Sequence, residues 1–168
     1  MTAFVAMLRA VNVGGTSKLP MADLKAIGTD CGFTSVRTFI ASGNLLFESQ
    51  LNEAEVASVL EERIERAMGK HVPVFVRSSP EMAEAVAANP FTDDKPSRVM
   101  AHFIAEEPSE AMIEAASGVQ GERMAIGPRL IYVSYGEGIG TSKLKLPGVA
   151  HGTARNMNSV AKIAGLLA

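Results

Sequence analysis

The chain has 168 residues, 47% of them hydrophobic, and a formal net charge of −2 at pH 7. This length and apolar content predict a globular protein with a buried core, as one domain or two small subdomains. No apolar run reaches the ~20 residues that cross a bilayer, and no basic region precedes the first apolar stretch, so we expect neither a membrane span nor a signal peptide. The single cysteine, Cys31, excludes an internal disulfide, and we expect a cytoplasmic protein.

The charge is distributed unevenly along the chain. Residues 52–122 carry six basic and fourteen acidic side chains, whereas residues 123–168 carry six basic and one acidic. A helix-rich segment with solvated glutamates explains the acidic part. The basic side chains of the last third lie among Gly, Ser, Thr and Asn, so this region is a candidate for steering an anionic partner.

The first predicted elements are a strand and a helix. The apolar stretch "TAFVAMLRA" at 2–10 predicts a buried strand. Pro20 suits a first helical position, Asp23 falls in the first turn, and Gly32 follows the last apolar residue of the helical pattern.

A hairpin, a second helix and a strand complete the first half. "VRTFI" (36–40) and "LLFES" (45–49) flank Gly43-Asn44, which is typical of a tight connection between strands. Asn52 and Glu55 form a capping-box pattern for a helix that ends at Gly69, and "VPVFV" (72–76) is the next strand. The order βαββαβ predicts a ferredoxin-like subdomain over 1–78.

The second half, 79–168, repeats part of this order. Ser79 and Pro80 begin a short helix, and the loop 89–97 is the candidate boundary between subdomains. A strand (99–105), a helix (108–116) and the hairpin "RMAI"/"LIYVSY" follow, then a long loop and a helix capped by Asn156 or Asn158. No convincing final strand is seen. The predicted fold class is α+β, with two ferredoxin-like (split βαβ, α/β plait) subdomains, the second incomplete.

The connection after the first strand is the first candidate site. Gly14 and Gly15, then Thr16, Ser17 and Lys18, place backbone N–H groups and a cation just before a helix, which suits an anion. The spacing matches neither a Walker loop nor a dinucleotide fingerprint, and a simple Gly-Gly turn is the alternative.

Two later blocks repeat this composition. "GEGIGTSKLK" (136–145), with Lys143, is either a flexible flap that brings cations to a ligand or a solvated surface loop. In "HGTARNMNS" (151–159), Arg155 can form a bidentate fork with phosphate or carboxylate, while Asn156 and Asn158 can read polar edges or simply cap a helix.

The inventory for classical catalysis is thin. The histidines, His71, His102 and His151, lack the spacing of a metal site, and Cys31 lies on the apolar stripe of its helix. Ser42 lacks the GxSxG context of a hydrolase elbow. We expect no metal and no cofactor.

The blocks "LRAVNVGGTSKLPMADL", "GFTSVRTFIASGNLLF", "SKL" at 142–144 and "GTARNMNSV" occur in this order along nearly the whole chain. Together they resemble a widespread bacterial family of uncharacterised proteins, a domain of unknown function. The resemblance implies two ferredoxin-like subdomains and no established activity, substrate or cofactor. Two positions depart from the family pattern, since Ala10 stands where Gly is usual and Met157 where Trp is usual.

The leading functional hypothesis is a noncatalytic or weakly catalytic protein that binds a phosphorylated ligand, either a nucleotide or a nucleic-acid segment, in a basic Gly/Asn-rich cleft. The expected ligand-binding residues are Arg9, Asn12, Gly14, Gly15, Lys18, Ser42, Asn44, Lys143, Arg155, Asn156 and Asn158. One alternative is an enzyme for a small phosphate- or carboxylate-bearing substrate, with Lys18, Arg155 and Ser42 orienting it between the subdomains. Another is a structural module that pairs two chains as a homodimer.

Overall fold

The computed structural model describes residues 1–11, 18–40 and 43–168. Within these residues the chain divides into two compact units. The first comprises Met1–Pro80 with Leu166–Ala168, and the second comprises Glu81–Gly165. Each unit is built on one four-stranded sheet.

The first sheet has the strand order of a ferredoxin-like fold. Its elements are β1 (Thr2–Leu8), α1 (Met21–Asp30), β2 (Thr34–Thr38), β3 (Asn44–Ser49), α2 (Glu53–Met68) and β4 (Val74–Ser78). The strands lie in the order β2-β3-β1-β4, and every neighbouring pair is antiparallel. The predicted βαββαβ order is therefore confirmed.

Local sequence accounts for the second helix and its packing. The capping box predicted at Asn52 and Glu55 is present, with the Glu55 N–H donating to Asn52 Oδ1 over 2.9 Å and the Asn52 N–H to Glu55 Oε1 over 3.0 Å. Leu60 and Ile64 of α2 are fully buried in the same apolar core as Ala6, in the middle of β1. One face of the first sheet is thus covered by helices.

The second sheet repeats the strand order of the first. The second half of the chain contains α3 (Ser79–Ala87), β5 (Val99–Phe103), α4 (Glu110–Glu114), β6 (Arg123–Gly127), β7 (Leu130–Ser134), β8 (Thr153–Asn156) and α5 (Met157–Leu167). Its strands are antiparallel in the order β6-β7-β5-β8. Single 3₁₀ turns lie at Pro96–Arg98, Gly136–Gly138 and Pro147–Val149.

The second unit is incomplete in a different way from the one expected. The prediction that it lacks a final strand is wrong, because β8 pairs with β5. In this pairing Met100 lies opposite Asn156, and Phe103 lies opposite Thr153. Four residues are too short for a periodic signal, and the pairing with β5 is what makes them a strand. The missing element is the helix between β7 and β8, where a loop with two 3₁₀ turns takes its place.

The helices are short relative to a bilayer. Among the residues that the structure describes, no helix combines the length and the apolar character needed to cross a membrane.

Candidate functional site

The first two sequence blocks meet at one end of the first sheet. The N–H of Leu8, at the end of β1, donates to the carbonyl of Gly43 over 2.9 Å. Gly43 has a φ of +89°, and a Cβ at this position would lie 2.6 Å from Cγ2 of Val11. Because only glycine lacks a Cβ, the residue type itself permits this approach.

Two non-glycine residues on these segments adopt left-handed backbone. Ala10 has a φ of +56° and Ile40 a φ of +54°. For a β-branched residue this conformation is a genuine outlier, and each such residue costs about 1–3 kcal/mol. Glycine would adopt the φ of Ala10 without this cost. Backbone strain is therefore stored on both segments that meet at Gly43.

Two predicted cations flank the glycine-rich connection. Arg9 is partly buried, and its backbone N–H donates to the carbonyl of Pro73 over 3.1 Å. Lys18 is exposed and lies three residues before the start of α1. Four predicted site residues lie outside the described residues: Asn12, Gly14, Gly15 and Ser42.

The N-terminus of α1 follows Lys18 directly. Its capping residue, Pro20, makes no side-chain cap hydrogen bond, although Asp23 lies in the first turn. The N-terminal end of a helix carries a partial positive charge from its aligned peptide dipoles. Helix and lysine therefore contribute charge of the same sign to this end of the sheet.

Asn44 has a structural contact of its own. Its side chain is fully buried, and Nδ2 donates to the carbonyl of Phe39 over 2.9 Å. This bond closes the connection between β2 and β3. A role of Asn44 in ligand binding stays a prediction.

Arg155 lies inside the second unit. The residue is 5% exposed, and Nη1 donates to Thr153 Oγ1 over 2.6 Å and to the carbonyl of Ala154 over 2.9 Å. Burial lowers the pKa of Arg155 to about 10. The guanidinium thus supports β8, and its predicted role as a phosphate fork stays a prediction.

The residues after Arg155 begin the last helix. The Ser159 N–H donates to Asn156 Oδ1 over 2.9 Å, which confirms the helix cap predicted at Asn156 or Asn158. Asn158 is exposed, whereas Met157 is buried. The thioether of Met157 therefore fills core space.

The second half of the loop 136–145 is anchored. The Ser117 N–H donates to the carbonyl of Lys145 over 2.9 Å, and the Lys145 N–H donates back over 2.8 Å. A Cβ on Gly118 would lie 2.3 Å from the carbonyl oxygen of Lys143, so the two segments are in close contact. The flap interpretation does not suit this half of the loop, although the Lys143 side chain is exposed.

A cavity of about 300 Å³ lies between this loop and the sheet of the second unit. Its lining residues are Met100, His102, Tyr135, Ile139, Ser142 and Leu144. Tyr135 Oη lies 3.3 Å from His102 Nε2, and Ser142 Oγ donates to Glu122 Oε2 over 3.0 Å. Burial lowers the pKa of His102 to about 4, so its imidazole is neutral at pH 7.

The sequence does not predict this cavity. Among its lining residues, the sequence patterns bear on His102, which lacks metal-site spacing, and they give no role to Tyr135 or to the nearby Glu122. One usable signal is present, because His102 alternates with Ala101 and Phe103 along a strand whose other residues are apolar. A polar side chain within an otherwise apolar strand indicates either a hydrogen-bonded core or a site.

No metal centre forms in the described ranges. Within residues 1–11, 18–40 and 43–168, no group of three or more His, Cys, Asp and Glu side chains could hold an ion. Cys31 packs against the first core, and burial raises the pKa of its thiol. The thiol is therefore protonated at neutral pH, as expected for a core cysteine.

A family model matches most of the chain. Residues 1–132 match the family described as "Protein of unknown function (DUF1697)". The chain belongs to this family. Among the curated proteins, none matches.

A solved structure supports the fold. The chain resembles the structure of the conserved bacterial protein SP0830 from Streptococcus pneumoniae, with a TM-score of 0.83, 24% identity and 99% of each chain covered. At this identity the likeness concerns the fold alone. The region matched to DUF1697 includes Leu8, Gly43 and His102, whereas Tyr135 and Ser142 follow it.

Proposed function

We propose that the protein binds a phosphorylated ligand, a nucleotide or a nucleic-acid segment, at the end of the first sheet where β1 and the segment before β3 meet. The observation that carries the proposal is the stored strain at this end. Ala10 and Ile40 hold left-handed backbone on the two segments joined by the bond from the Leu8 N–H to the Gly43 carbonyl. Strain of this kind is concentrated at binding sites, where the surrounding structure holds it in place.

The charges nearby support an anionic ligand. Arg9 and Lys18 lie at the two ends of the glycine-rich connection, and α1 begins three residues after Lys18. A phosphate at this position would accept hydrogen bonds from the lysine and benefit from the helix dipole. The carboxylate of Asp23 opposes this field in part.

Affinity measurements with defined probes test the proposal. Pyrophosphate, ADP and a short single-stranded oligonucleotide are titrated into the protein by calorimetry. Lys18→Ala should weaken binding of the preferred probe about tenfold or more, because charge-assisted hydrogen bonds contribute about 1.5–3 kcal/mol. Lys25→Ala is the matched control, since Lys25 is an exposed lysine of α1 and its loss changes the net charge equally.

The pattern of results separates the hypotheses. An oligonucleotide affinity that falls steeply with salt favours nucleic acid, and a salt-tolerant affinity for ADP favours a nucleotide. Release of phosphate from a bound probe would favour the enzymatic alternative. If no probe binds, or if Lys25→Ala weakens binding as much as Lys18→Ala, the proposal is wrong. A stable dimer together with blank titrations would favour the structural module.

A cytoplasmic location is part of the same proposal. A nucleotide or nucleic-acid ligand is available there, and the single thiol of Cys31 is compatible with a reducing compartment.

A further inference from the structure

The two units differ in what covers their sheets. In the first unit, the 16-residue helix α2 connects β3 to β4, and its apolar residues complete a core over Ala6 of β1. In the second unit, a loop with two short 3₁₀ turns connects β7 to β8 at the topologically equivalent position. A loop cannot present the continuous apolar stripe of a helix. On this face of the second sheet, Ile131 and Val133 of β7 are fully buried, whereas Met100 and His102 of β5 are only partly buried.

The strand beneath that loop carries a polar residue where the first unit has an apolar one. Ala6 pairs with Leu45 and is fully buried. His102, on the equivalent central strand β5, pairs with Ile131 and borders the cavity of about 300 Å³. This volume lies at the lower end of the range for small-molecule sites, which is about 300–1,000 Å³.

The walls of the cavity are fixed by hydrogen bonds. At the start of the loop, the Gly136 N–H donates to Asp94 Oδ2 over 3.1 Å. At its end, the two backbone hydrogen bonds between Ser117 and Lys145 hold the loop in place. Between these anchors, the Ser142 hydroxyl donates to Glu122. Hydrogen bonds therefore hold both ends of the loop that lines the cavity, and the Ser142 hydroxyl on its wall.

Three polar and three apolar side chains line this cavity. Tyr135 and His102 form a neutral pair at 3.3 Å, in which either partner can donate or accept according to the imidazole tautomer. The Ser142 hydroxyl already donates to Glu122 and accepts from the Leu144 N–H over 3.2 Å, which leaves one lone pair to accept a further hydrogen bond.

The apolar side and the local charge restrict the ligand further. Met100, Ile139 and Leu144 offer aliphatic and thioether surface, and a thioether makes favourable contacts with aromatic rings. Glu122 is 9% exposed and lies directly behind Ser142, so its carboxylate opposes a second negative charge in the cavity. A ligand of this cavity should thus be partly polar and uncharged, and an aromatic ring would suit the thioether of Met100.

We propose that this cavity is a binding site for a small uncharged heteroaromatic ring, with Tyr135, His102 and Ser142 hydrogen-bonding to its polar edge. The proposal does not depend on anion binding by the first unit, and the two can fail separately.

Nicotinamide and nicotinate form a matched pair of probes, because they share a ring and differ in charge. The 168-residue chain is prepared with isotope-labelled methionine methyls, and the methyl signal of Met100 reports on the cavity in NMR titrations. Nicotinamide should shift this signal with a Kd of about 1 mM or tighter, as expected for a ligand of its size. Nicotinate should bind about tenfold more weakly, because it brings a second carboxylate close to Glu122.

Two tryptophan substitutions locate the binding. Ile139→Trp fills the cavity from an exposed position, and Ile126→Trp, equally exposed at 39% on β6, does not line it. The first variant should weaken nicotinamide binding at least about tenfold while the second leaves it unchanged. Circular dichroism checks that both variants fold.

Several outcomes would overturn the proposal. It fails if nicotinamide, adenine and benzimidazole all leave the Met100 signal unmoved, or if Ile139→Trp binds them as well as the parent protein does. Nicotinate binding as tightly as nicotinamide would also overturn it, because the site would then not select an uncharged ring.

Discussion

Replacing Gly43 with alanine disturbs the point where the first two sequence blocks meet. The new methyl group would lie 2.6 Å from Cγ2 of Val11 and 3.1 Å from Cβ of Leu8, well inside ordinary van der Waals separation. The φ of +89° at Gly43 adds a second penalty, because an L-residue rarely adopts it. The Gly43→Ala variant therefore combines a backbone cost with a steric one.

The two costs can be separated in magnitude. Left-handed backbone costs an L-residue about 1–2 kcal/mol, and an extra methyl group in a filled space costs about 1–3 kcal/mol. The free energy of unfolding should therefore fall by about 2–5 kcal/mol in Gly43→Ala. Gly32 provides the control, because its φ of +86° is nearly the same and nothing lies within 4 Å of the position of its Cβ. Gly32→Ala should lose about 1–2 kcal/mol from the backbone alone.

Urea denaturation followed by circular dichroism measures both variants. The steric difference of about 1–3 kcal/mol corresponds to roughly 0.5–1.5 M in the midpoint when the slope is about 2 kcal/mol/M. Equal losses in Gly43→Ala and Gly32→Ala would refute the argument, since they would mean that the approach of Val11 and Leu8 to Gly43 is relieved without cost.

Three further predictions concern other parts of the chain. Ala10→Gly should raise the free energy of unfolding, measured by urea denaturation, by about 1 kcal/mol, because glycine adopts the φ of +56° without strain. A loss of stability in this variant would contradict the assignment of backbone strain to Ala10. Tyr132→Phe should lower the free energy of unfolding by about 1–3 kcal/mol, because it removes the buried hydroxyl that donates to the Ala85 carbonyl over 2.5 Å; an unchanged denaturation midpoint would speak against it. Burial lowers the pKa of His102 from 6.5 to about 4, so the unfolded state binds a proton in this window that the folded state does not. The free energy of unfolding should therefore fall by up to about 3 kcal/mol as the pH falls from 6.5 to about 4. Urea denaturation at successive pH values measures this dependence, which His102→Gln should flatten. If the variant and the parent protein show the same pH dependence, groups other than His102 cause it.

Local sequence signals predicted the first unit well. Two kinds of local feature mark its elements, namely the capping box at Asn52 and Glu55 and the turn glycines Gly43 and Gly69. Each of them shapes only the few residues that surround it. Such features are readable without knowing the fold, because their partners are neighbours in the chain. The βαββαβ order followed from them.

The second unit was harder to predict for a physical reason. Residues 153–156 form β8 because the edge of β5 is available to pair with them, from Met100 to Phe103. The four residues of β8, which read Thr-Ala-Arg-Asn, carry no strand signal of their own. The second sheet repeats the strand order of the first. A comparison of the second half of the chain with the first is therefore the feature that could have indicated a fourth strand in the second unit.

The candidate sites show the same division. The glycine-rich connection was visible in the sequence, and Gly43 was recognised as a turn residue, although its contact with Leu8 and Val11 required coordinates. Arg155 is buried in its own sheet, which only the coordinates show, and its predicted role in ligand binding stays a prediction. The cavity beside His102 depends on residues that are distant in the chain and had no shared pattern.

The sequence by itself determined the order of the elements in the first unit, and the caps of α2 and α5, because these depend on the conformational preferences of adjacent residues. Only the tertiary structure decided which loop replaces a helix over the second sheet, and which polar side chains that loop brings to His102. A cavity is the space left between segments that pack from afar, so its existence depends on the packing of the whole unit and on no single stretch of sequence.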